Sequence, residues 1–264
     1  MTKQDVEYRV RTSREVQETS GWKYTSFVER RRVMKILLRH ILDHKHEIAR
    51  ASCEDTGKNL FEAHLGEVML SCEKIRYMIN HGEGDLASEH RRVPLMMMMK
   101  RATVQYHPLG LIAMIVPWNY PFHNIVGSMV TALFAGNAVC CKVSEYACYS
   151  LAHCFERVIH GALIEAGYSP DLVSFIIGYG DAGQSLVCAP GVDHVFFIGS
   201  PSVGRRVMSA ASQRLTPVTL ELGGKDAFII TDDTDVENAA DYAVRSVFTN
   251  CGQNCVAAER FYVH

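Results

Sequence analysis

The chain lacks several features that mark membrane, secreted or nucleic-acid-binding proteins. Its 264 residues contain no apolar run of membrane length, and the polar start, Met1 to Asp5, lacks the apolar core of a signal peptide. Basic charge is not in excess, since 27 Lys and Arg face 29 Asp and Glu for a net charge of −2. We therefore expect no membrane segment and no nucleic-acid partner.

Paired cysteine motifs are also absent. None of the nine cysteines belongs to a Cys-x-x-Cys motif, and Cys140 and Cys141 lie in an apolar run, where a free thiol packs as a small hydrophobic group. A structural zinc site is not expected, because His40, His44 and His46 have no second ligand pair. These patterns predict no metal and a cytoplasmic or other reducing compartment.

The first part of the chain, residues 4–81, is predicted to be helical. Val33 and Leu37 belong to an apolar stripe whose period is close to that of an α-helix. A further helix is predicted over 60–79, and the two glycines in 81–85 indicate a turn.

Two extended segments, 93–99 and 103–107, are predicted next. The methionine run 96–99 lies in the first of them and is interpreted as a packed segment.

From residue 111 onward, apolar strands alternate with helical stretches. The predicted strands are 111–116, 138–143, 172–177, 194–198 and 217–222. The predicted helices between them are 122–134, 147–166, 182–187 and 202–211. Such alternation is typical of the α/β class, with a parallel sheet between helices, and these sheets commonly bind a nucleotide at the carboxyl ends of their strands.

Two glycine-containing junctions are candidates for that nucleotide. Gly178 opens a Gly-x-Gly-x-x-Gly pattern after a strand, and an ordinary turn explains it equally well. Gly199 ends a strand, and Ser200 can cap the following helix, which leaves free N–H groups to meet a pyrophosphate.

Thiol chemistry is indicated near the end of the chain. Glu221 begins a Glu-Leu-Gly-Gly-Lys segment, and Cys255 ends a polar Gly-Gln-Asn-Cys segment. A carboxylate that accepts a proton and a cysteine in a polar loop suggest a general base and a nucleophile.

Six sequence motifs occur in an order and spacing that resemble those of the NAD(P)-dependent aldehyde dehydrogenase superfamily. The segment Asp55 to Lys58 also fits the pattern of that superfamily. The local sequence is most similar to a plant and fungal branch whose substrate is uncertain. The motifs are Val116 to Pro121, Ala135 to Asn137, Lys142 to Glu145, Phe197 to Ser200 with Gly204, Glu221 to Lys225, and Phe248 to Cys255.

The resemblance implies a role for three residues in the oxidation of an aldehyde to a carboxylic acid. Cys255 would attack the aldehyde carbon, and Asn119 would donate a hydrogen bond to the resulting oxyanion. Glu221 would activate the water that hydrolyses the thioester, or help to deprotonate the thiol.

The resemblance also implies a set of cofactor contacts. The carboxylate of Glu145 would accept hydrogen bonds from the ribose hydroxyls and repel a 2′-phosphate, so NAD is preferred and NADP is the alternative. The residues expected to contact the cofactor are Trp118, Lys142, Glu145, Gly178, Gly199, Ser200, Gly204 and Leu222.

Relative to the family, two parts are expected: initial helices with a Rossmann-like cofactor domain over 1–222, and an incomplete catalytic α/β domain over 223–264. Residues 93–107 resemble the hairpin through which the complete family enzymes form homo-oligomers.

Two other functions stay open at this point: a nucleotide-binding fragment with impaired turnover, and a cysteine-dependent esterase. Cys251, four residues before Cys255, could form an oxidised pair with it.

Overall fold

The computed structural model describes residues 1–264, which form helices and three separate sheets. The helices are α1 (Lys3–Thr19), α2 (Phe27–Asp43), α3 (Lys45–Thr56), α4 (Leu60–Ala63), α5 (Leu70–Asp85), α6 (Pro121–Phe134), α7 (Cys148–Ser150), α8 (Glu156–Glu165), α9 (Gly180–Cys188), α10 (Pro201–Ser212) and α11 (Val236–Phe248). The strands are β1 (Glu89–Arg91), β2 (Ala102–Val104), β3 (Leu111–Ile115), β4 (Ala138–Val143), β5 (Val173–Ile177), β6 (His194–Gly199), β7 (Val218–Leu222), β8 (Asp226–Ile230) and β9 (Ala258–Val263).

The largest sheet has five parallel strands in the order β5-β4-β3-β6-β7. From β3 the chain adds β4 and then β5 on one side, and it afterwards adds β6 and β7 on the other side. The direction of strand addition therefore switches between β3 and β6. All six residues of β4 are buried, as expected for a strand covered on both faces. The α/β class and the alternation from residue 111 onward are confirmed.

Helices cover both faces of this sheet. The helix α1 packs on β4 and β5 and contacts α9, which in turn contacts α10, whereas α6 also packs on β4 and continues outward to α5 and α2. Fifty-two buried apolar residues form one continuous core. Trp22 is fully buried there, and its indole Nε1 donates to the Asn137 carbonyl oxygen at 3.2 Å. No helix is both long enough and apolar enough to span a bilayer.

The predicted turn at 81–85 is wrong, because α5 continues to Asp85. The helical segment begins at α4 and passes through a π-helical segment, His64–Met69, before α5. Gly82 is buried against the Phe134 ring of α6, where a Cβ atom would lie 2.6 Å from Phe134 Cε1. The glycine thus permits close packing of two helices and does not mark a turn.

Two glycines of α5 provide a matched test of this packing. We expect Gly82→Ala to lower the free energy of unfolding by about 1–3 kcal/mol, because the added methyl group overlaps Phe134. Gly84→Ala should raise it by about 0.5–1 kcal/mol, since nothing lies within 4 Å of its added Cβ and alanine favours the helix. Urea denaturation measures both; equal effects would contradict the contact with Phe134.

The extended segment predicted over 93–99 is also corrected. The antiparallel pair is β1 with β2, and the connection between them contains a short 3₁₀ turn, Leu95–Met97. Met96 and Met99 are 98% and 95% exposed, so the methionine run is not packed in this chain. The periodicity of a short apolar run does not distinguish a strand from a surface connection. An oligomeric role for this hairpin stays a prediction.

The last part of the chain forms its own small sheet. The strands β8 and β9 are parallel and paired with each other, and α11 lies between them in sequence. They have no partner in the five-stranded sheet. The division into domains at residue 222 stays a prediction, with this separate sheet on its carboxyl side.

Candidate active site and nucleotide cleft

A cleft of about 640 Å³ opens at the carboxyl ends of β3, β4 and β6. Four of the eight predicted cofactor residues line it: Trp118, Lys142, Glu145 and Ser200. The volume is that of a small-molecule site, and its place at the switch point is the usual one for nucleotides.

The polar end of this cleft carries an ion pair. Lys142 Nζ lies 3.1 Å from Glu145 Oε2, and the lysine side chain is 8% exposed. Partial burial raises the pKa of Glu145, but a backbone hydrogen bond and the bond from Lys142 outweigh it and hold the pKa below its ordinary value. The carboxylate is therefore ionised at neutral pH, which suits hydroxyl donors and disfavours a phosphate.

The junction after β6 has the geometry of an anion site. Ser200 caps α10, its Oγ accepting from the Val203 N–H, and Pro201 occupies the first helical position. The next turn packs closely on β7, because a Cβ at Gly204 would lie 2.9 Å from Leu222 Cδ2. The amino terminus of α10 therefore stays near the ends of β6 and β7, and Ser200 and Val203 line the cleft.

Two predicted cofactor glycines lie beside the cleft without lining it. Gly199 is the last residue of β6 and pairs with Leu222 of β7. A Cβ at Gly178 would lie 2.8 Å from the Ala182 Cβ, so this glycine allows α9 to start close to the end of β5. The cleft thus combines the ion pair of Lys142 and Glu145 with a helix amino terminus at Ser200.

The loop before Cys255 has an unusual backbone. Three consecutive residues, Asn250, Cys251 and Gly252, adopt left-handed conformations with φ of 58°, 58° and 73°. Each non-glycine residue in this region costs about 1–2 kcal/mol, so surrounding contacts must hold the loop. One such contact is the Asn250 N–H, which donates to Glu62 Oε1 at 2.7 Å.

Asn119 connects this loop to the sheet. Its Nδ2 donates to the Gln253 carbonyl oxygen at 2.9 Å, two residues before Cys255. The buried Asn250 carboxamide donates to the carbonyl oxygens of both Asn119 and Gln253 at 3.0 Å. The fold thus brings together two predicted catalytic segments that are 134 residues apart in sequence.

A buried ion pair beneath Asn119 was not predicted as part of the site. Lys58 Nζ lies 2.6 Å from Glu67 Oε1, and both side chains are 0% exposed. Lys58 also donates to the Asn119 carbonyl oxygen at 2.8 Å. Lys58 lies in the segment Asp55 to Lys58, which fits the family resemblance. For Glu67, the only feature of the sequence that could have indicated a buried partner is its charge inside an apolar helical stretch.

Glu221 lines a second groove of about 570 Å³ on the α6 side of the sheet, whereas the Cys255 Sγ donates to Asn254 Oδ1 at 3.9 Å. His123 and Asn124 line the same groove, and Asn124 Nδ2 donates to Asn119 Oδ1 at 3.2 Å. Burial lowers the pKa of His123, so its ring is neutral at neutral pH. Asn124 therefore links the groove of Glu221 to the predicted oxyanion donor.

Tyr120 lies between the buried pair and the thiol. Burial, followed by the negative charge of Glu67, raises the pKa of Tyr120 to about 12, with a smaller contribution from Cys255. Tyr120 therefore remains a neutral phenol at neutral pH and does not compete with Glu221 as a base.

All nine cysteines are free thiols in this structure. Cys251 and Cys255 are both exposed, and the Cys251 thiol lies 3.8 Å from the Gly57 carbonyl oxygen. An oxidised pair between them stays a prediction.

A five-stranded parallel sheet with a cleft at its switch point is the arrangement of Rossmann-like α/β proteins. The family model for the aldehyde dehydrogenase family matches residues 1–264. The chain therefore belongs to the aldehyde dehydrogenase family, a family of oxidoreductases.

Relatives at the sequence level agree with this. The chain is 40% identical over 258 residues to an aldehyde dehydrogenase-like protein of Schizosaccharomyces pombe, covering 98% of the chain and 49% of the relative. It is 33% identical over 267 residues to betaine aldehyde dehydrogenase 1 of Oryza sativa subsp. japonica, covering 100% and 52%. The chain spans about half the length of the curated relatives it matches.

Solved structures agree as well. An aldehyde dehydrogenase of Burkholderia cenocepacia superposes with a TM-score of 0.90 at 33% identity, over 100% of this chain and 53% of that one. An NAD⁺ complex of the Bacillus cereus aldehyde dehydrogenase has a TM-score of 0.90 at 28% identity, covering 100% and 52%. An NADP-dependent enzyme of E. coli has a TM-score of 0.89 at 27% identity, covering 100% and 53%. Neighbours of this fold thus include both NAD and NADP proteins.

Proposed function

We propose that the protein oxidises an aldehyde to a carboxylic acid with reduction of NAD, through a thioester on Cys255. The observation that carries this proposal is the hydrogen bond of 2.9 Å from Asn119 Nδ2 to the Gln253 carbonyl oxygen. It joins the loop of the thiol to the segment that follows Trp118, and Trp118 lines the nucleotide cleft.

The first step is addition of the Cys255 thiolate to the aldehyde carbon. The carbonyl oxygen then carries the electron pair as an oxyanion. A carboxamide has two N–H donors, and Asn119 uses one of them for Gln253, so the other is free for the oxyanion. Donors of this kind contribute about 3–4 kcal/mol to the stabilisation of such transition states.

The second step converts the addition product into the acid. Lys142, Glu145 and Ser200 would hold the dinucleotide, which would supply the acceptor for the hydride of the former aldehyde carbon, so that a thioester would remain on Cys255. Glu221 takes a proton from water while the water oxygen attacks the thioester carbon. The thiol leaves as the carboxylic acid forms, so that aldehyde, NAD⁺ and water give acid, NADH and a proton.

The experiment measures NADH absorbance and acid formation with a panel of aldehydes. One NADH for each acid is the expected result. Cleavage of activated esters by the Cys255 thiol without any NADH formation from aldehydes would favour the esterase, and dinucleotide binding without either reaction would favour an impaired nucleotide-binding protein.

The preference for NAD depends on Glu145. We expect Glu145→Gln to raise the kcat/KM for NADP relative to NAD by about tenfold, because a negative charge near the 2′-phosphate is removed and Lys142 is released to bind it. Steady-state kinetics with both dinucleotides measures the ratio. Glu156→Gln on α8, outside the cleft, is the control for loss of a negative charge; an unchanged ratio in Glu145→Gln would contradict the assignment.

A reducing compartment, with the cytoplasm as one choice, is proposed on the basis of nine free thiols. A homo-oligomer formed through the β1–β2 hairpin is proposed from the resemblance alone.

A further inference from the structure

The strongest feature that the proposed chemistry does not use is the buried pair of Lys58 and Glu67. The Glu67 carboxylate accepts one hydrogen bond from Lys58 and two from the N–H groups of Phe122 and His123, at 3.0 and 2.9 Å. All these contacts come from donors, so the carboxyl group acts as an acceptor only and is ionised. Burial raises the pKa of Glu67 above its ordinary value, and Lys58 with the two backbone donors offsets only part of that rise.

The hydrogen bonds that Lys58 and Glu67 make outside their own pair all go to one short segment, Asn119 to His123. Lys58 Nζ donates to the Asn119 carbonyl oxygen and lies 4.4 Å from the centre of the Tyr120 ring. Glu67 binds the first free N–H groups of α6, whose own capping residue, Tyr120, makes no side-chain cap. The segment between Asn119 and His123 is therefore held at its carbonyl end by a cation and at its amide end by an anion.

The backbone around Glu67 is adapted to this contact. Glu67 lies in the π-helical segment His64–Met69, and such segments are frequent at functional sites. A Cβ at Gly66 would lie 2.8 Å from the Tyr120 ring, so only glycine lets the helix approach this closely.

Stability alone does not explain a pair of this kind. Two ions that leave water lose hydration, and replacement of a buried ion pair by apolar side chains of similar volume is often neutral or stabilising. The charges do, however, orient the Asn119 peptide, and the Asn119 side chain leaves from that peptide toward the thiol loop.

We propose that Lys58 and Glu67 are positioning residues that orient Asn119 for the oxyanion formed at Cys255. The role of the oxyanion rests on the proposed function, whereas the orientation of Asn119 does not. The two residues touch neither substrate nor cofactor and act through the Asn119 peptide and the first turn of α6.

The test compares four forms of the whole protein: wild type, Glu67→Gln, the double variant Lys58→Met with Glu67→Leu, and Glu73→Gln. The last is the matched control, because Glu73 lies on α5 in an exposed pair with Arg76. Thermal unfolding, kcat, KM and the NMR signals of the Asn119 side-chain amide are measured on each.

For the double variant we expect unfolding close to that of wild type, a shifted Asn119 amide signal, and a kcat lowered by about 10- to 100-fold. KM should change by less than about threefold, since only the transition state needs the aligned donor. Glu67→Gln should lower kcat as well, because glutamine has one acceptor oxygen, so its NH2 group must face either Lys58 or the two N–H donors of α6. Glu73→Gln should match wild type throughout.

A double variant with wild-type kcat and an unshifted Asn119 signal would overturn the proposal. If that variant fails to fold, Glu67→Gln, which keeps the side-chain volume, decides by the same two measurements. If wild type forms no NADH, the proposed function fails, and the Asn119 signal still decides whether the pair orients the carboxamide.

Discussion

Cys255→Ala is expected to lower the rate of NADH formation by at least about a thousandfold, because it removes the thiol on which the proposed thioester forms. The thiol is exposed after the left-handed residues of the loop, and its Sγ donates to Asn254 Oδ1 at 3.9 Å. Stopped-flow or steady-state measurement of NADH with a reactive aldehyde gives the rate. Binding of NAD should be unchanged, since no cysteine lines the nucleotide cleft.

Cys251→Ser is the matched control for that variant. Cys251 is an equally exposed thiol in the same loop, but its side chain contacts the Gly57 carbonyl oxygen and not the segment of Asn119. Serine keeps the shape and an O–H donor, so the activity should stay within about threefold of wild type. Loss of activity in Cys251→Ser with full activity in Cys255→Ala would reverse the assignment of the nucleophile.

Asn119→Ala should reduce kcat by about 10²- to 10³-fold, the usual effect of removing one oxyanion donor. The variant also loses the bond to Gln253, so the reactivity of the thiol must be followed separately through its alkylation by iodoacetamide. We expect alkylation to continue, because it needs the thiolate and not the oxyanion donor. A lowered kcat with continued alkylation indicates loss of the oxyanion donor. A lowered kcat with lost alkylation indicates that the loop of Cys255 has changed its conformation.

The control for Asn119 is Asn80→Ala on α5, which removes the same amide from a side chain without a hydrogen-bond role in the site. It should leave both kcat and the alkylation rate unchanged. A kcat for Asn119→Ala within a few-fold of wild type would exclude Asn119 as the oxyanion donor, and the donor would then have to be a backbone N–H of the loop.

The prediction from sequence was most accurate for the sheet. The strand over 138–143 is predicted with its observed bounds, because five apolar residues with a single lysine, between polar turns, leave few alternatives. The predicted turn at 81–85 was wrong because neither of its glycines ends the helix. Gly82 allows close packing on Phe134, and at Gly84 nothing lies within 4 Å of an added Cβ. Local composition does not contain that long-range contact.

The candidate site shows the same contrast between local sequence motifs and long-range contacts. Cys255, Glu221 and Asn119 were recognised because their motifs are local and occur in a characteristic order. The contacts between these motifs were not predictable, since Asn119 meets the thiol loop through a carbonyl oxygen, which every residue has. Glu67 was missed for a similar reason: besides Lys58, nine residues earlier, its partners are two backbone N–H groups 55 and 56 residues away.

The sequence by itself determined the class of fold, the order of strands and helices along the chain, and the family, because apolar periodicity and short motifs are local properties. Only the tertiary structure decided that a buried ion pair supports Asn119 and that Glu221 faces a groove of its own. It also decided that three consecutive left-handed residues lie in the loop before Cys255. These features depend on hydrogen bonds and packing between segments far apart in the chain, where the backbone contributes as much as the side chains.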